Sequence, residues 1–183
     1  PGGQVVVITG SNFGPVGSPI NSVTYGTNGN DFPASSCFIS VPHTQLTCNT
    51  TSGAGAGLRW LVTVDEQIST VPVTDYAPPV IDSLSGDSVG ALSTDGGDYV
   101  VITGREFATQ KWLGAVTYGP SGTEFKAKNC IVTVNHTQIT CMTSPGTGRQ
   151  LRFIVSVRGQ VSLASDAIAS YAAPTIYFAT PPH

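Results

Sequence analysis

The chain repeats itself, and this internal repeat limits the folds it can adopt more than any other feature. Five blocks of the first half return in the same order in the second half, at an offset of about 94 residues. Five blocks in one order at one spacing predict a tandem repeat, and therefore two domains of one fold. The matched blocks are GGQVVVITG and GGDYVVITG, NSVTYG and GAVTYG, CFISVPHTQLTC and CIVTVNHTQITC, LRWLVTVDEQIS and LRFIVSVRGQVS, and DYAPPVI and SYAAPTI.

Each copy contains short β-strand signals. The runs VVVIT and YVVIT are rich in β-branched residues and are followed by glycine. A later run in each copy places apolar residues at every second position, the period of a half-buried strand. Dense turn signals separate the strands, and no segment keeps a helical period. The pattern predicts an all-β chain of two tandem immunoglobulin-like β-sandwiches. The alternating positions are Leu58, Trp60, Val62 and Val64, and Leu151, Phe153, Val155 and Val157.

Composition argues against several functions. Charged residues make up 10% of the chain, and the net charge is −3. Nucleic-acid binding needs clustered Lys and Arg, so no nucleic-acid partner is expected. No apolar run reaches the roughly 18 residues of a membrane-spanning helix, so no membrane insertion is expected of this segment. Because the sequence starts at Pro1 without a Met or a signal peptide, we expect a processed or excised segment.

The repeated motifs resemble those of the IPT/TIG family. A double glycine before an apolar strand, ITGSNFG, VTYG, C…HTQLTC and a closing Y…P.I carry the resemblance, in two copies over nearly the whole chain. Domains of this family are immunoglobulin-like and occur in plexins, in fibrocystin-like surface proteins and in some transcription factors. The resemblance implies sandwiches at 1–78 and 79–173, used as spacers or as binding modules. The basic loops of the transcription-factor branch are lacking here, so we do not expect its role.

The four cysteines occupy matched positions, and the two members of each pair are 11 residues apart. Each interval contains a strand, a turn at VPHTQ or VNHTQ, and a returning strand. Residues flanking a hairpin can reach the Cα separation of about 5.5 Å that a disulfide needs. We therefore predict the disulfides Cys37–Cys48 and Cys130–Cys141, and an oxidising compartment outside the cell or on its surface. A zinc site is disfavoured because no CxxC pair is present.

Two N-x-S/T sequons are candidates for N-glycosylation. Asn135 lies in the predicted hairpin turn, where a glycan would meet no obstacle, and Asn49 follows a cysteine in a Thr-rich stretch. We expect Asn135 to be the better acceptor, and an ordinary turn asparagine is the alternative at each site. The Pro-Pro pairs at 78–79 and 181–182 and the many Ser and Thr residues are candidates for O-linked sugar.

His43 and His136 recur at one position of the repeat, which makes them the tempting catalytic residues. Both fall in the HTQ turn beside a Thr that can bond its own backbone, so the fold explains their recurrence. No catalytic pattern such as G-x-S-x-G accompanies them. We therefore expect no enzyme activity and no cofactor.

Two acidic groups raise the question of a calcium site. Asp95 and Asp98 flank the second double glycine, and Asp65 and Glu66 lie in a predicted turn. Calcium requires several oxygen ligands that converge on one point. Neither group recurs in the other copy, so we expect solvated carboxylates and no bound metal.

The two ends of the chain do not coincide with the boundaries of the repeat. The second copy has a leading strand at 79–84 before its double glycine, whereas Pro1 directly precedes the first double glycine. Without that strand, one sheet of the first sandwich would have a bare edge. The segment 174–183 resembles the leading strand but has no domain after it. We predict that it is the first strand of a following repeat or of a neighbouring subunit.

Placed before the head of another repeat, this segment would complete the first sandwich. Its predicted contact residues are Pro174, Ile176 and Phe178, with Ile176 and Phe178 pointing into the neighbouring sandwich and Tyr177 facing away. Covalent repetition or strand addition between chains would achieve this. Head-to-tail addition that does not close into a ring forms a filament.

The resulting hypothesis is an extracellular structural protein, a subunit or segment of a glycosylated rod or fibril that is assembled head-to-tail. The joints YAPP and YAAP are rich in proline and carry an aromatic residue able to pack on the next domain, which favours a stiff rod. The rival hypothesis is an adhesion or receptor ectodomain that binds a protein or glycan through its loops. Lys111 and Trp112 form the candidate ligand loop, and the alternative for Trp112 is a structural role at the end of a sandwich.

Overall fold

The computed structural model describes residues 1–70, 72–86 and 88–179. They form two compact units. Unit 1 consists of Pro1–Pro78 together with Lys111–Leu113 and Val157–Gln160, and unit 2 consists of the remaining residues from Pro79 onward. Both units are built from antiparallel strands, as the all-β prediction requires.

Unit 1 pairs its strands in two sheets. One sheet has the order β1-β5-β4, and the other has the order β3-β2-β6-β7, with β8 also paired to β6. The predicted alternation in LRWLVTV is confirmed, because Leu58, Trp60 and Val62 are buried on one face of β6. The strands are β1 (Val5–Thr9), β2 (Ile20–Gly26), β3 (Phe32–Pro33), β4 (Ser35–Val41), β5 (Gln45–Asn49), β6 (Leu58–Val64), β7 (Gln67–Ile68) and β8 (Val73–Thr74).

The strands of the second repeat form the sheets β13-β14-β10-β9 and β12-β11-β15-β16. The sequence predicts a leading strand at 79–84, and β9 confirms it by pairing antiparallel with β10. The strands are β9 (Val80–Ser85), β10 (Tyr99–Arg105), β11 (Leu113–Gly119), β12 (Phe125–Lys126), β13 (Lys128–Val134), β14 (Gln138–Met142), β15 (Arg152–Val157) and β16 (Gln160–Val161). A short 3-10 turn, Gln110–Trp112, precedes β11.

Strand pairing follows the same register in both repeats. Val6 of β1 lies opposite Cys48 of β5, and Val100 of β10 lies opposite Cys141 of β14. Side chains that alternate along such strands point to opposite faces, so a shared register places matched residues in both cores. The core of unit 1 consists of Ile8, Phe13, Val23, Tyr25, Phe32, Ile39, Leu46, Cys48, Leu58, Trp60, Val62 and Tyr76.

Candidate functional site at the free edge of unit 1

The matched strands β1 and β10 differ in how many partners they have. β10 lies between β14 and β9, whereas β1 pairs with β5 alone among the described residues. Among the described residues, β1 therefore forms the edge of its sheet. An edge strand presents unpaired N–H and C=O groups that can template another strand.

The backbone groups at the free edge of β1 can be assigned. The amide of Gly10 donates to the carbonyl oxygen of Thr44 (2.9 Å), and the amide of Thr50 donates to that of Gln4 (2.9 Å). Even-numbered residues of this segment therefore bond towards β5. Because hydrogen-bonding direction alternates along an antiparallel strand, the N–H and C=O groups of Val7 and Thr9 point to the free edge.

A groove of about 610 Å³ lies along this edge, between the two sheets of unit 1. Its floor is apolar and comes from both sheets, and its rim carries polar side chains. Pockets for side chains beside an exposed sheet edge are the feature that strand addition uses for specificity. The floor residues are Ile8, Phe13, Trp60, Val62 and Val64, and the rim includes Asn12, Gln67 and Ser69.

The glycine that follows each strand shows what occupies this place in unit 2. A Cβ on Gly104 would collide with the carbonyl oxygen of Val80 in β9 and with the ring of Phe107. A Cβ on the matched Gly10 would meet only the ring of Phe13, at 2.7 Å. The glycine–phenylalanine contact is common to both units, and the strand across the glycine is found in unit 2.

The predicted assembly segment lies exposed. Residues 172–179 form no strand, and the side chains of Ile176, Tyr177 and Phe178 are 84%, 89% and 83% exposed. Pro174 is also exposed, and residues 180–183 of the predicted segment, with the 181–182 Pro-Pro pair, lie outside the described residues. Three consecutive large apolar side chains in water are a typical feature of an interaction segment.

Lys111 and Trp112 fall in unit 1, and both lie within the 3-10 turn. The half-buried ring of Trp112 lies 6.1 Å from the ring of Phe32 and 4.3 Å from the guanidinium carbon of Arg158. The ammonium of Lys111 lies 4.6 Å from the ring centre of Trp112. Arg158 also forms an ion pair with Asp31. These contacts give Trp112 a packing role, and the ligand-loop hypothesis stays a prediction.

Both predicted disulfides are present. Cys37–Cys48 links β4 to β5 and Cys130–Cys141 links β13 to β14, each across a hairpin and with Cα atoms 4.2 and 4.1 Å apart. The described part of the chain has no free cysteine. Each disulfide lies on the strand next to β1 or β10, and Cys37–Cys48 therefore stabilises the sheet that presents the free edge.

The two sequons differ in setting. Asn135 is exposed in the turn between β13 and β14, whereas Asn49 is half-buried at the end of β5. The backbone of Asn49 lies opposite both Val5 and Ser35, and its carbonyl oxygen accepts from the Ser35 hydroxyl (3.4 Å). The geometry offers more room for a glycan at Asn135.

The recurring histidines connect each hairpin turn to the loop after β1 or β10. The His43 amide donates to Gly14 and its carbonyl accepts from Phe13, at 2.7 and 3.2 Å. His136 makes the matched bonds to Ala108 and Phe107, at 2.7 and 3.1 Å. Both residues have positive φ, a conformation found mostly in turns. Their backbone position accounts for their recurrence.

The acidic residues also lie in turns. Asp65 and Glu66 have positive φ in the turn between β6 and β7. The carboxylate of Asp98 accepts from the Ser93 amide (2.5 Å), which ties down the loop that also holds Asp95. The described residues contain no group of three His, Cys, Asp or Glu placed to hold a metal ion.

Sequence reasoning missed a buried tyrosine pair in each unit. The hydroxyls of Tyr25 and Tyr76 are 2.5 Å apart, and those of Tyr118 and Tyr171 are 2.7 Å apart. Burial, followed by the hydrogen bond to the partner tyrosine, raises the pKa of Tyr76 and of Tyr171 above the ordinary tyrosine range. The recurrence of Tyr in VTYG and YAPP was the signal that could have revealed these pairs.

The pairs correct one expectation about the joints. The joint motif YAPP predicts that Tyr76 packs on the next domain. Tyr76 belongs instead to the core of unit 1, and its hydroxyl donates to the carbonyl oxygen of Thr51 (2.7 Å). Tyr171 makes the matched bond to Ser144 (2.5 Å). Each tyrosine closes the sandwich that precedes it.

Comparison with known proteins gives a family. The model of the family described as IPT/TIG domain matches residues 1–75 and 79–172. No curated protein matches the chain significantly. Of the described residues, none belongs to a helix long and apolar enough to cross a membrane.

Several solved structures are similar to this chain at low identity. SGBP-B from a complex xyloglucan utilization locus of Bacteroides uniformis matches with 16% identity and a TM-score of 0.38, over 94% of this chain and 46% of that one. The plexin A4 extracellular region matches with 16% identity and a TM-score of 0.41, over 93% and 17%. The Escherichia coli adhesin FdeC matches with 16% identity and a TM-score of 0.38, over 93% and 65%. The chain thus spans less than half of the first of these proteins.

Proposed function

Because the chain belongs to the IPT/TIG domain family, we propose that it is a segment of an extracellular rod or fibril built from IPT/TIG sandwiches. The sandwiches are joined head-to-tail by covalent repetition or by strand addition. One observation carries the proposal, namely that β10 has two partner strands and the matched β1 has one. A strand supplied by the adjoining repeat gives β1 the second partner that β10 has.

Two further properties support an extracellular location. Both units carry a disulfide, and disulfides persist in oxidising compartments such as the cell exterior. Charged residues make up only 10% of the chain, so neutral polar groups and sugars maintain its solubility. The function is structural, and no catalytic step is part of it.

Imaging of the protein isolated from its source under native conditions tests this function. We expect elongated particles whose axial repeat corresponds to a pair of sandwiches. Discrete compact particles, together with a β1 edge that exchanges its amide hydrogens freely, would contradict the proposal. Hydrogen exchange is informative because the odd-numbered residues of β1, Val5, Val7 and Thr9, direct their amides to the free edge.

We also propose that Asn135 carries an N-linked glycan. The residue is exposed in a hairpin turn of unit 2, whereas the free edge of β1 belongs to unit 1. Expression in a eukaryotic secretory host should give a mass that falls on enzymatic removal of N-glycans. The variant Asn135→Gln should lose this change, whereas Asn49→Gln should keep it. Loss of the mass change in Asn49→Gln alone would assign the glycan to the other sequon.

A further inference from the structure

We propose that the groove of unit 1 is an acceptor site for residues 174–179 of a second copy of this chain, with Ile176 and Phe178 as the inserted side chains. The inference rests on the proposed function and adds the identity of the strand, its register and its source. It is carried by three features, which are the free edge of β1, the apolar groove beside it and the exposed apolar segment.

The pairing of β9 with β10 supplies the register. Gly104 lies opposite Ile81, and Thr103 lies opposite Ser83. The motifs DYAPPVI and SYAAPTI match Ile81 with Ile176, and the two GG-strand motifs match Gly104 with Gly10. Carried over, Ile176 lies opposite Gly10, where the absence of a side chain lets the added backbone approach.

The register then decides which side chains enter the groove. β9 has an irregularity between its pairings to Thr103 and Gly104, and its half-buried residues Ile81 and Leu84 are three positions apart. Ile176 and Phe178 are two positions apart, so a regular strand points both inward. Phe178 then lies opposite Ile8, over the apolar floor of the groove.

A copy of the β9 irregularity would give a poorer fit. It would place Ala179 inside, at the position of Leu84, and would leave Phe178 in solvent at the position of Ser83. The larger apolar side chain gains more from leaving water, so the regular strand is favoured. Tyr177 faces outward in this arrangement, as Asp82 does in β9.

The ion pair found at this place in unit 2 has no charged counterpart at the proposed site. In unit 2, Arg105 of β10 forms an ion pair with Asp82 of β9 (3.1 Å). The first repeat has Ser11 in place of Arg105, and the exposed segment has Tyr177 in place of Asp82. Ser11 and Tyr177 are both uncharged, so adding the strand to β1 leaves no charged side chain without an ion-pair partner at these two positions.

We assign the strand to a second copy, since the described residues of one chain leave the groove unfilled. The side chains of Ile176 and Phe178 are 84% and 83% exposed, and no described residue pairs with the free edge of β1. Segment and groove are thus both present and both unused in one chain. Their mutual insertion is heterologous, so it propagates from chain to chain.

Variants along the exposed segment test the inserted side chains. We measure self-association of the full chain by sedimentation over a range of concentrations. Ile176→Asp and Phe178→Asp should each weaken association more than about tenfold, because association would bury the new carboxylate among the apolar side chains of the groove. Tyr177→Asp, in the same segment, should leave association within about twofold, because its side chain stays in water. Leu163→Asp is a second control at a residue that is 90% exposed.

A complementation experiment tests the acceptor. Thr9→Pro removes an amide that faces the free edge and leaves the bonds to β5 in place. The variants Thr9→Pro and Ile176→Asp should each fail to self-associate and should form a one-to-one complex when mixed. Far-UV circular dichroism and a cooperative unfolding transition establish that each variant is folded. If Thr9→Pro is unfolded, Val7→Pro, which removes another outward amide, replaces it.

Three results would overturn the inference. They are a wild-type chain that stays monomeric at every concentration, equal effects of Tyr177→Asp and Phe178→Asp, and a sensitive Ala179→Asp beside a tolerant Phe178→Asp. None of them contradicts the proposed function, since a covalently preceding repeat could still supply the strand. Native imaging decides that question separately.

Discussion

The segments around β1 and β10 have nearly the same sequence and end differently. β1 stops at Thr9, whereas β10 continues through Gly104 to Arg105. The two extra residues of β10 pair with Ile81 and Val80 of β9. Both units contain the same sequence VITG at the end of this strand, so the local β-propensity is the same in both. The difference in strand length therefore depends on the partner strand.

The same difference reaches the core. Ile8 and Phe13 of unit 1 keep 8% and 7% of their surface exposed, whereas Ile102 and Phe107 of unit 2 are fully buried. Covering the last exposed apolar area stabilises a core by about 25 cal/mol per Å². Unit 1 as an isolated body is therefore expected to be the less stable of the two, and the following predictions test that difference.

Removal of the disulfides should have the largest effect. The paired change Cys130→Ser with Cys141→Ser opens a closed loop of 11 residues, which should lower the free energy of unfolding of unit 2 by about 3 kcal/mol. The matched change Cys37→Ser with Cys48→Ser should cost unit 1 as much and should unfold it at a lower denaturant concentration. Tryptophan fluorescence reports on unit 1, which holds both Trp60 and Trp112. A higher midpoint for unit 1 would contradict the expected order.

The disulfides were predictable because spacing and a hairpin signal are local. The alternation Leu58, Trp60, Val62 and the free edge of β1 were equally readable, since the second repeat served as a template for the first. The irregularity in β9 was not readable, because it depends on how two distant strands meet. The packing of Trp112 on Phe32 depends likewise on residues far apart in the sequence.

The candidate site was predicted only in outline. The sequence indicated which segment could complete the first sandwich, through the match between Ile81 and Ile176. It could not give the groove, whose floor combines Ile8 of one sheet with Trp60 of the other. The tyrosine pairs were missed for the same reason, since a tyrosine in a turn motif has the same sequence signature whether buried or exposed.

Substitution of the two matched glycines should reveal most directly how the two units differ in stability. Gly104→Ala places a methyl group against the backbone of Val80 and should lower the stability of unit 2 by about 3 kcal/mol. Gly10→Ala meets only the ring of Phe13 and should lower the stability of unit 1 by about 1 kcal/mol. Denaturant titration of the monomeric Ile176→Asp background gives both values. Equal losses would mean that the strand across Gly104 adds nothing.

The tyrosine pairs should make stability fall at alkaline pH. Burial raises the pKa of Tyr171, so above about pH 10 the unfolded chain loses this proton while the folded chain keeps it. The contribution is complete below pH 10 and is lost as pH rises further, by about 1.4 kcal/mol per pH unit for each such tyrosine. Tyr171→Phe should make the free energy of unfolding of unit 2 fall less steeply with pH, by the contribution of one tyrosine. Tyr76→Phe should do the same in unit 1. Unfolding midpoints from pH 8 to 11 measure the slopes, and an unchanged slope in both variants would contradict the assignment.

The smallest effect concerns the ion pair that distinguishes the two edges. Arg105 and Asp82 are both exposed, so Asp82→Asn should cost unit 2 only about 0.5 kcal/mol, and the loss should vanish in high salt. The matched positions, Ser11 and Tyr177, allow the reverse experiment. Ser11→Arg in one chain and Tyr177→Asp in another should make their association salt-dependent, whereas the wild-type association should respond little to salt. Because the two substitutions can form an ion pair only if the added strand runs antiparallel to β1, as β9 does to β10, a salt response of the mixed variants that neither shows alone would fix the direction of the strand.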